Sequence, residues 1–471
     1  MLAGLVGLIV AAGLLLRGAL DSWVQATLLL AFLTGGAAWL CAQIMRGWIP
    51  LSENNLILWI LALVALAAAS MELSLIHVYS RRAWAVSTMG LMLFPVVSVI
   101  DNEGREKIKR VARMVAWILV LVALYQRFHG QARPPASFFS QNVFAGAILL
   151  LLPIAIRAGD GFLAAGLMVC LWWTHSIGAW LGLAVALLLH RRAAGAAAFW
   201  WGAVAGFVGL VSFYSKLQSP EVMHRIEWWR AAWSMAAGDP WLGLGPGAFA
   251  HAFAAHVPAR PDLSTLHAYQ YVLETAAERG WVYLALWSCG LAALFVHSPA
   301  EKRFGPIAIL IQGLADYALS VPGIFWFFCV SAAFSIPESG RVLNIPFRYR
   351  LFSCVLTLIV AGAAGRCVWH EWTAERLRTR SVELIRGDDL QGADALLARS
   401  EAIAPHPEAA RLRADVAVAV AGSNPSRESL ALAAEHMKRA SSLDPYRVSY
   451  RIALDALARD SAPPGAPGHE K

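Results

Sequence analysis

Apolar stretches close to the length of a bilayer crossing recur through the first 368 residues, and no other feature limits the fold as strongly. They run near 1–16, 23–45, 55–76, 83–100, 111–127, 142–156, 161–175, 176–190, 196–213, 281–297, 304–319, 322–336 and 350–368. In hydrocarbon every backbone polar group must be satisfied within the protein, which leaves helices and closed barrels. Runs this long and continuous predict helices, hence an all-α, polytopic membrane helix bundle of about 12–13 spans. The segment between Arg157 and Arg191 tests the count. As one helix it would be roughly 50 Å long at 1.5 Å per residue, against an apolar layer of about 30 Å. It must fold back, and Thr174-His175-Ser176 with Gly178 offers the turn.

Composition agrees. Only 15% of residues are charged and 58% are hydrophobic, whereas soluble domains carry about a quarter charged residues. An ordinary soluble enzyme is excluded, as is disorder over most of the chain. The first apolar run lacks the cationic start of a cleaved signal and is expected to stay as a span. The cysteines (Cys41, Cys170, Cys289, Cys329, Cys354, Cys367) show neither metal spacing nor a disulfide ladder, and are expected to be small apolar fillers.

Charge sets the expected sides. Connections after even-numbered spans hold Arg46, Arg105, Lys107, Lys109, Arg110, Arg157, Arg191 and Arg192, then Lys302, Arg303, Arg341, Arg348 and Arg350. The short connections after odd-numbered spans hold only Arg17, Arg81, Arg82, Arg127 and Arg133. The first set is expected in the cytoplasm, and the net charge of +8 is spread along these loops instead of forming one nucleic-acid-binding block. Residues 1–368 thus form the membrane domain of an inner-membrane protein. One long periplasmic loop, 214–280, carries a helix over Glu221–Met235 with a stripe of Val222, Ile226, Trp229 and Trp233. Gly243, Gly245, Pro246 and Gly247 follow as a turn-rich run that lacks the Gly-Lys-Ser/Thr of a phosphate loop.

From about residue 369 charge rises and the sequence repeats itself, with turns expected at Gly387-Asp388, Pro405-His406-Pro407 and Gly422-Ser423-Asn424-Pro425. Ala393–Ala419 echoes Leu432–Leu457, with Pro405 matching Pro445. This predicts a tetratricopeptide-like domain over 369–460, a surface for a protein partner, with a plain helical stalk as the alternative. Residues 461–471 read as a disordered tail. If the span count is right, this domain is periplasmic.

The spans are poor in charge, which disfavours an ion-coupled transporter. Asp316 is the one candidate intramembrane acid, or else a helix-end carboxylate. Polar groups gather instead in the long loop and after the fifth span. The many tryptophans, among them Trp172, Trp173, Trp200, Trp201 and Trp326, are expected as interfacial anchors, while Trp228, Trp229, Trp233 and Trp241 could also stack on sugars.

Several segments, in order, resemble the O-antigen ligase and polymerase superfamily. Arg133–Pro153 (RPPASFFSQNVFAGAILLLLP) is similar to that family's R…GTFxNPNxFAxYLLLLLP, with Asn142, Phe144, Ala145 and Pro153 matching. Thr174–Gly182 (THSIGAWLG) is similar to its T-x-S-R-G-A-x-L-G, with Ile177 in place of arginine. Arg225–Phe249 follows its R…W..A..M…P.lGxGxGxF through Arg225, Pro240, Gly243, Gly245, Gly247 and Phe249. His267–Gly280 (HAYQYVLETAAERG) is similar to HxHNxYLxxLAExG, keeping Leu273, Glu278 and Gly280 but placing Tyr269 and Gln270 at the histidine and asparagine. Gln312–Ala318 keeps Asp316 of an H-x-x-x-D signature.

The resemblance implies glycan transfer from undecaprenyl-diphosphate to a glycan, lipid or protein acceptor, among membrane lipids and with no metal or other cofactor. Arginine's planar fork suits a lipid diphosphate leaving group. That points to Arg225 first and Arg133 second, the alternative for Arg225 being an ion pair with Glu221. A histidine suits activation of the acceptor hydroxyl, which points to His267, with Tyr269, Gln270, Asn142, Gly245 and Asp316 around the substrate. His251 and His256 read as surface residues. A non-catalytic scaffold of polysaccharide assembly, or a carrier of lipid-linked glycan, are the alternatives.

Overall fold

In a computed structural model of the chain, the structure describes residues 1–51, 56–216, 220–257, 265–337, 341–422 and 426–461. The turn expected at Gly422-Ser423-Asn424-Pro425 lies mostly outside them, as does nearly all of the expected disordered tail; so do the side chains of Glu221 and Val222. The chain is an all-α polytopic helical protein. Its helices are α1 (Leu2–Leu15), α2 (Ser22–Arg46), α3 (Leu56–Leu73), α4 (His77–Ser98), α5 (Asn102–Phe128), α6 (Gln141–Arg157) and α7 (Gly161–Thr174). Then come α8 (Ile177–Lys216), α9 (Pro220–Gly238), α10 (Phe249–His256), α11 (Tyr271–His297), α12 (Ala300–Gly313), α13 (Pro322–Ala333) and α14 (Phe347–Arg386). The short strands β1 (Trp48–Leu51) and β2 (Arg341–Asn344) pair antiparallel.

Ser22–Arg46, Leu56–Leu73, Tyr271–Val296 and Phe347–Arg386 are long and apolar enough to cross a membrane. Most other expected spans are shorter apolar helices, among them Leu2–Leu15, Gln141–Arg157 and Pro322–Ala333. The fold-back falls where the sequence puts it. His175 adopts a left-handed conformation (φ 50°) between α7 and α8. The expected spans 176–190 and 196–213 form one helical element by backbone pairing, α8, yet its limbs lie side by side. Gly202 abuts Leu187 and Leu188, and Gly209 abuts Trp180 and Leu181.

Two expectations, those for 304–319 and for Trp326, need correcting. The stretch 304–319 is helical only to Gly313, because Asp316 turns the chain there, its Oδ1 accepting the backbone N–H of Tyr317 at 2.8 Å. On α9 the buried face is Ala231, Ala232, Met235 and Ala236, while Trp233 is exposed and meets Trp281 edge-on. Small alanines let α9 approach α11 closely, which the bulkier tryptophan stripe would prevent. Trp326, expected as an anchor, is fully buried and donates to the Val86 carbonyl at 2.9 Å.

One end of the bundle is cationic. Lys302 lies close enough to Arg105, Lys109 and Arg157 to feel their charge, and β1 and β2 close the same end. Arg105 is more than a loop cation. Its guanidinium is buried and donates to the carbonyls of Ile100 (2.9 Å), Ile336 (2.6 Å) and Ser98 (2.7 Å), tying the α4–α5 corner to the end of α13. Arg105→Ala is expected to cost about 3 kcal/mol, since hydrogen bonds to a charged group contribute about 1.5–3 kcal/mol each and buried carbonyls lose their donors. A thermal midpoint equal to wild type in detergent would refute this staple.

At the other end α14, roughly 60 Å long at 1.5 Å per residue, runs out of the bundle into the tail. The tail is two helix pairs, α15 (Leu390–Ile403) with α16 (Pro407–Ala421) and α17 (Arg427–Leu443) with α18 (Val448–Ser461). The tail is pinned back on the bundle. Arg82 of α4 pairs with Glu375 of α14 at 3.0 Å, and Tyr79 meets His406 of the tail edge-on.

Candidate functional site

The site is built at the start of α11. Gln270 caps the helix, its side-chain oxygen accepting the N–H of Leu273. Glu274 falls in the first turn, where a carboxylate favours the helix dipole. Its carboxylate reaches back over the preceding loop. Oε2 accepts the N–H of Ala268 at 2.7 Å, and Oε1 meets Nδ1 of His267 at 3.0 Å. A carboxylate partner requires the proton on Nδ1, which leaves Nε2 of a neutral His267 as a free acceptor. Burial opposes protonation of this imidazole. The Glu274 carboxylate, helped by Glu278 and Asp316, outweighs burial and holds its pKa above the ordinary histidine value.

An aromatic ladder leads from His267 to Arg225. The imidazole stacks on Tyr317 at 4.7 Å between ring centres, Tyr317 meets Tyr269 edge-on at 4.4 Å, and Tyr269 stacks on Trp228 at 4.6 Å. The Arg225 guanidinium lies 5.1 Å from the Tyr269 ring centre and donates to the Ala315 carbonyl at 2.9 Å. Tyr269 holds this position with a left-handed backbone (φ 54°). The histidine and arginine singled out in the sequence therefore meet in one cluster.

The cluster borders a cavity of about 920 Å³ at the tail-bearing end of the bundle. His267, Glu274, Glu278 and Arg279 form part of its wall, opposite Arg81 and Arg82 of α4. Arg225 is not in the wall. Arg279 is mostly buried, 3.7 Å from Glu278 by its closest nitrogen, and its Nε has no hydrogen-bond partner among the described residues.

The other expected residues are placed unevenly. Asn142 is buried at the start of α6, its carbonyl accepting from Gln312, and the neighbouring Ser140 hydrogen-bonds Tyr317. Asp316 is buried in the turn beneath Tyr317. Gly245 packs on Ser74 and Ser80, away from the cavity wall, and its N–H donates to the Glu278 carbonyl at 2.9 Å. Its φ of 112° and the 2.4 Å from a Cβ to Ser74 Oγ explain the glycine. Arg133 is exposed in its loop.

Sequence reasoning missed five residues. Glu274 falls on an unspecified position of the HxHNxYLxxLAExG pattern, directly after Leu273. Arg279 follows Glu278 directly, and Arg81 and Arg82 read as loop cations although they sit in the first turns of α4. His251, taken for a surface residue, stacks on Tyr79 at 3.6 Å and lines the cavity. A carboxylate seven residues after a histidine, at a helix start, was the available signal for the first.

Residues 161–288 match the family described as O-antigen ligase. The match takes in Arg225, His267, Glu274 and Arg279, and ends before Asp316 and the tail. No curated protein matches the chain.

Proposed function

We propose, from the O-antigen ligase match at 161–288, that this membrane protein works in polysaccharide assembly by moving a glycan from undecaprenyl-diphosphate to an acceptor hydroxyl. The observation that carries the reading is the buried His267–Glu274 pair on the wall of a cavity large enough for sugar rings. Nε2 of His267 takes the proton as the acceptor oxygen bonds to the anomeric carbon. The bond from that carbon to the diphosphate oxygen breaks, and the lipid diphosphate leaves with the electron pair. Glu274 stabilises the imidazolium that forms.

Charge grows on the leaving diphosphate, and guanidinium groups are suited to hold it. Arg279 is in the cavity wall, and Arg225 stands behind Tyr269. The cation-rich end lies opposite, which under the positive-inside rule supports a cavity that opens to the periplasm. The acceptor can be lipid A core, another glycan chain or a protein hydroxyl.

The test is reconstitution of the purified protein with an undecaprenyl-diphosphate glycan and candidate acceptors. Elongated or newly linked product with release of undecaprenyl diphosphate is expected. Movement of glycan lipid across proteoliposomes without transfer would replace this reading by transport, and neither activity would leave a scaffold. Arg225→Ala is expected to slow transfer roughly tenfold to hundredfold, with Arg225→Lys in between, because lysine keeps the charge but loses the fork. Equal rates for the three proteins would remove Arg225 from the mechanism.

A further inference from the structure

The tail lines the cavity. Arg378 of α14, together with Ala404, Pro405, His406 and Glu408 of the tail, lines the same space as His267 and Glu274. We infer that Arg378 and His406 form the acceptor subsite, and that the acceptor carries an acidic sugar. The inference rests on the glycan-transfer reading above.

Arg378 lines the cavity without an ion pair among the described residues, its Nη1 making one 3.4 Å hydrogen bond to Ser400. The nearby carboxylates each have a closer cation, Glu371 with Arg81 at 3.9 Å, Glu375 with Arg82 at 3.0 Å and Glu408 with Arg411 at 2.8 Å. A part-buried guanidinium left in this state is matched by an anion that brings two oxygens to its fork.

His406 supplies the neutral contact. Its Nδ1 accepts the N–H of Glu408 at 3.2 Å, so in the neutral ring Nε2 carries the proton and donates. Burial, then the charges of Arg378, His251 and Arg82, push its pKa down to about 3, and it stays neutral at working pH. Leu412 and Leu443 add apolar surface for the C–H faces of a sugar. A fork for a carboxylate, a donor for a hydroxyl and an apolar patch together suit a uronic acid residue.

The test uses the full-length protein in nanodiscs with tetragalacturonate and its carboxyl-reduced counterpart as probes. Tetragalacturonate is expected to bind more tightly than the reduced form. Arg378→Gln should weaken tetragalacturonate about tenfold or more and leave the reduced form unchanged, with partial rescue by Arg378→Lys. In transfer assays Arg378→Gln and His406→Ala should raise the acceptor KM more than they lower kcat. Equal binding of both probes, or an indifferent Arg378→Gln, overturns the inference. A rise in the donor KM instead would assign Arg378 to the lipid diphosphate and also overturn it. Arg378-dependent binding of tetragalacturonate without any transfer would keep the subsite and sink the glycan-transfer reading.

Discussion

Glu274→Gln is expected to lower glycan transfer by about 10²- to 10⁴-fold, the range for removing the group that orients a catalytic histidine. The geometry says why an isosteric change is so costly. Both carboxylate oxygens accept, one from Ala268 N–H and one from His267 Nδ1. A carboxamide can accept with only one of them, so its NH₂ must face a donor or turn the ring to the other tautomer, which puts the proton on Nε2. The pH profile should shift as well. Glu274 raises the His267 pKa, so in wild type the base form appears, and the rate climbs, above the ordinary histidine value of about 6.5. Without the carboxylate that limb moves to lower pH while the plateau falls. Stability follows the same sign. A raised folded pKa contributes stability that is full below the unfolded value and lost as pH rises through the folded one. The wild-type thermal advantage over Glu274→Gln should therefore shrink from pH 6 to pH 9. A rate limb at the same pH in both proteins would mean that the pair does not control the chemistry.

What the sequence disclosed follows from which forces are local. Apolar periodicity is a local signal, so the helices of the bundle and the turn at Thr174-His175-Ser176 were readable. The glycines at 243, 245 and 247 were readable as backbone positions, because three of them around one proline mark a turn-rich run. The His267–Arg225 meeting was not visible in spacing, since the two lie 42 residues apart in sequence and meet only through Tyr269 and Tyr317. The motif order carried it instead. The cavity roof was out of reach altogether. Arg378 and His406 come to His267 only because α14 continues straight out of the bundle and Arg82 catches Glu375, a tertiary register that no segment encodes alone. Arg81 and Arg82 were misjudged for a related reason. A span was assigned by where charge stops, and α4 begins earlier, with charged residues in its first turns.

Gly280→Ala is expected to abolish the folded protein. Gly280 interrupts α11 with φ 78° and ψ 167°, a conformation essentially reserved for glycine, and a Cβ there would lie 2.2 Å from the Trp241 carbonyl oxygen. No side-chain rotation relieves a clash with backbone. The break also frees carbonyls that the loop then takes up. Leu244 N–H donates to Ala277 and Gly245 N–H to Glu278, each at 2.9 Å, Ser70 donates to Glu278 at 3.0 Å, and Trp281 N–H reaches Pro240 at 2.9 Å. Straightening α11 to accommodate a methyl group would orphan these partners and displace Glu278 and Arg279 from the cavity wall. Strain of about 1–3 kcal/mol for the backbone, about 1–3 kcal/mol for overpacking, and the lost hydrogen bonds together rival a total stability of about 5–15 kcal/mol. Gly362→Ala is the matched control. It lies in α14 with nothing within 4 Å of an added Cβ, and should be neutral or stabilising by up to about 1 kcal/mol. The measurement is monodisperse yield and thermal midpoint by fluorescence size exclusion. A Gly280→Ala protein that elutes and melts like wild type would show that α11 runs unbroken, and the wall on which His267, Glu274 and Arg279 depend would have to be redrawn.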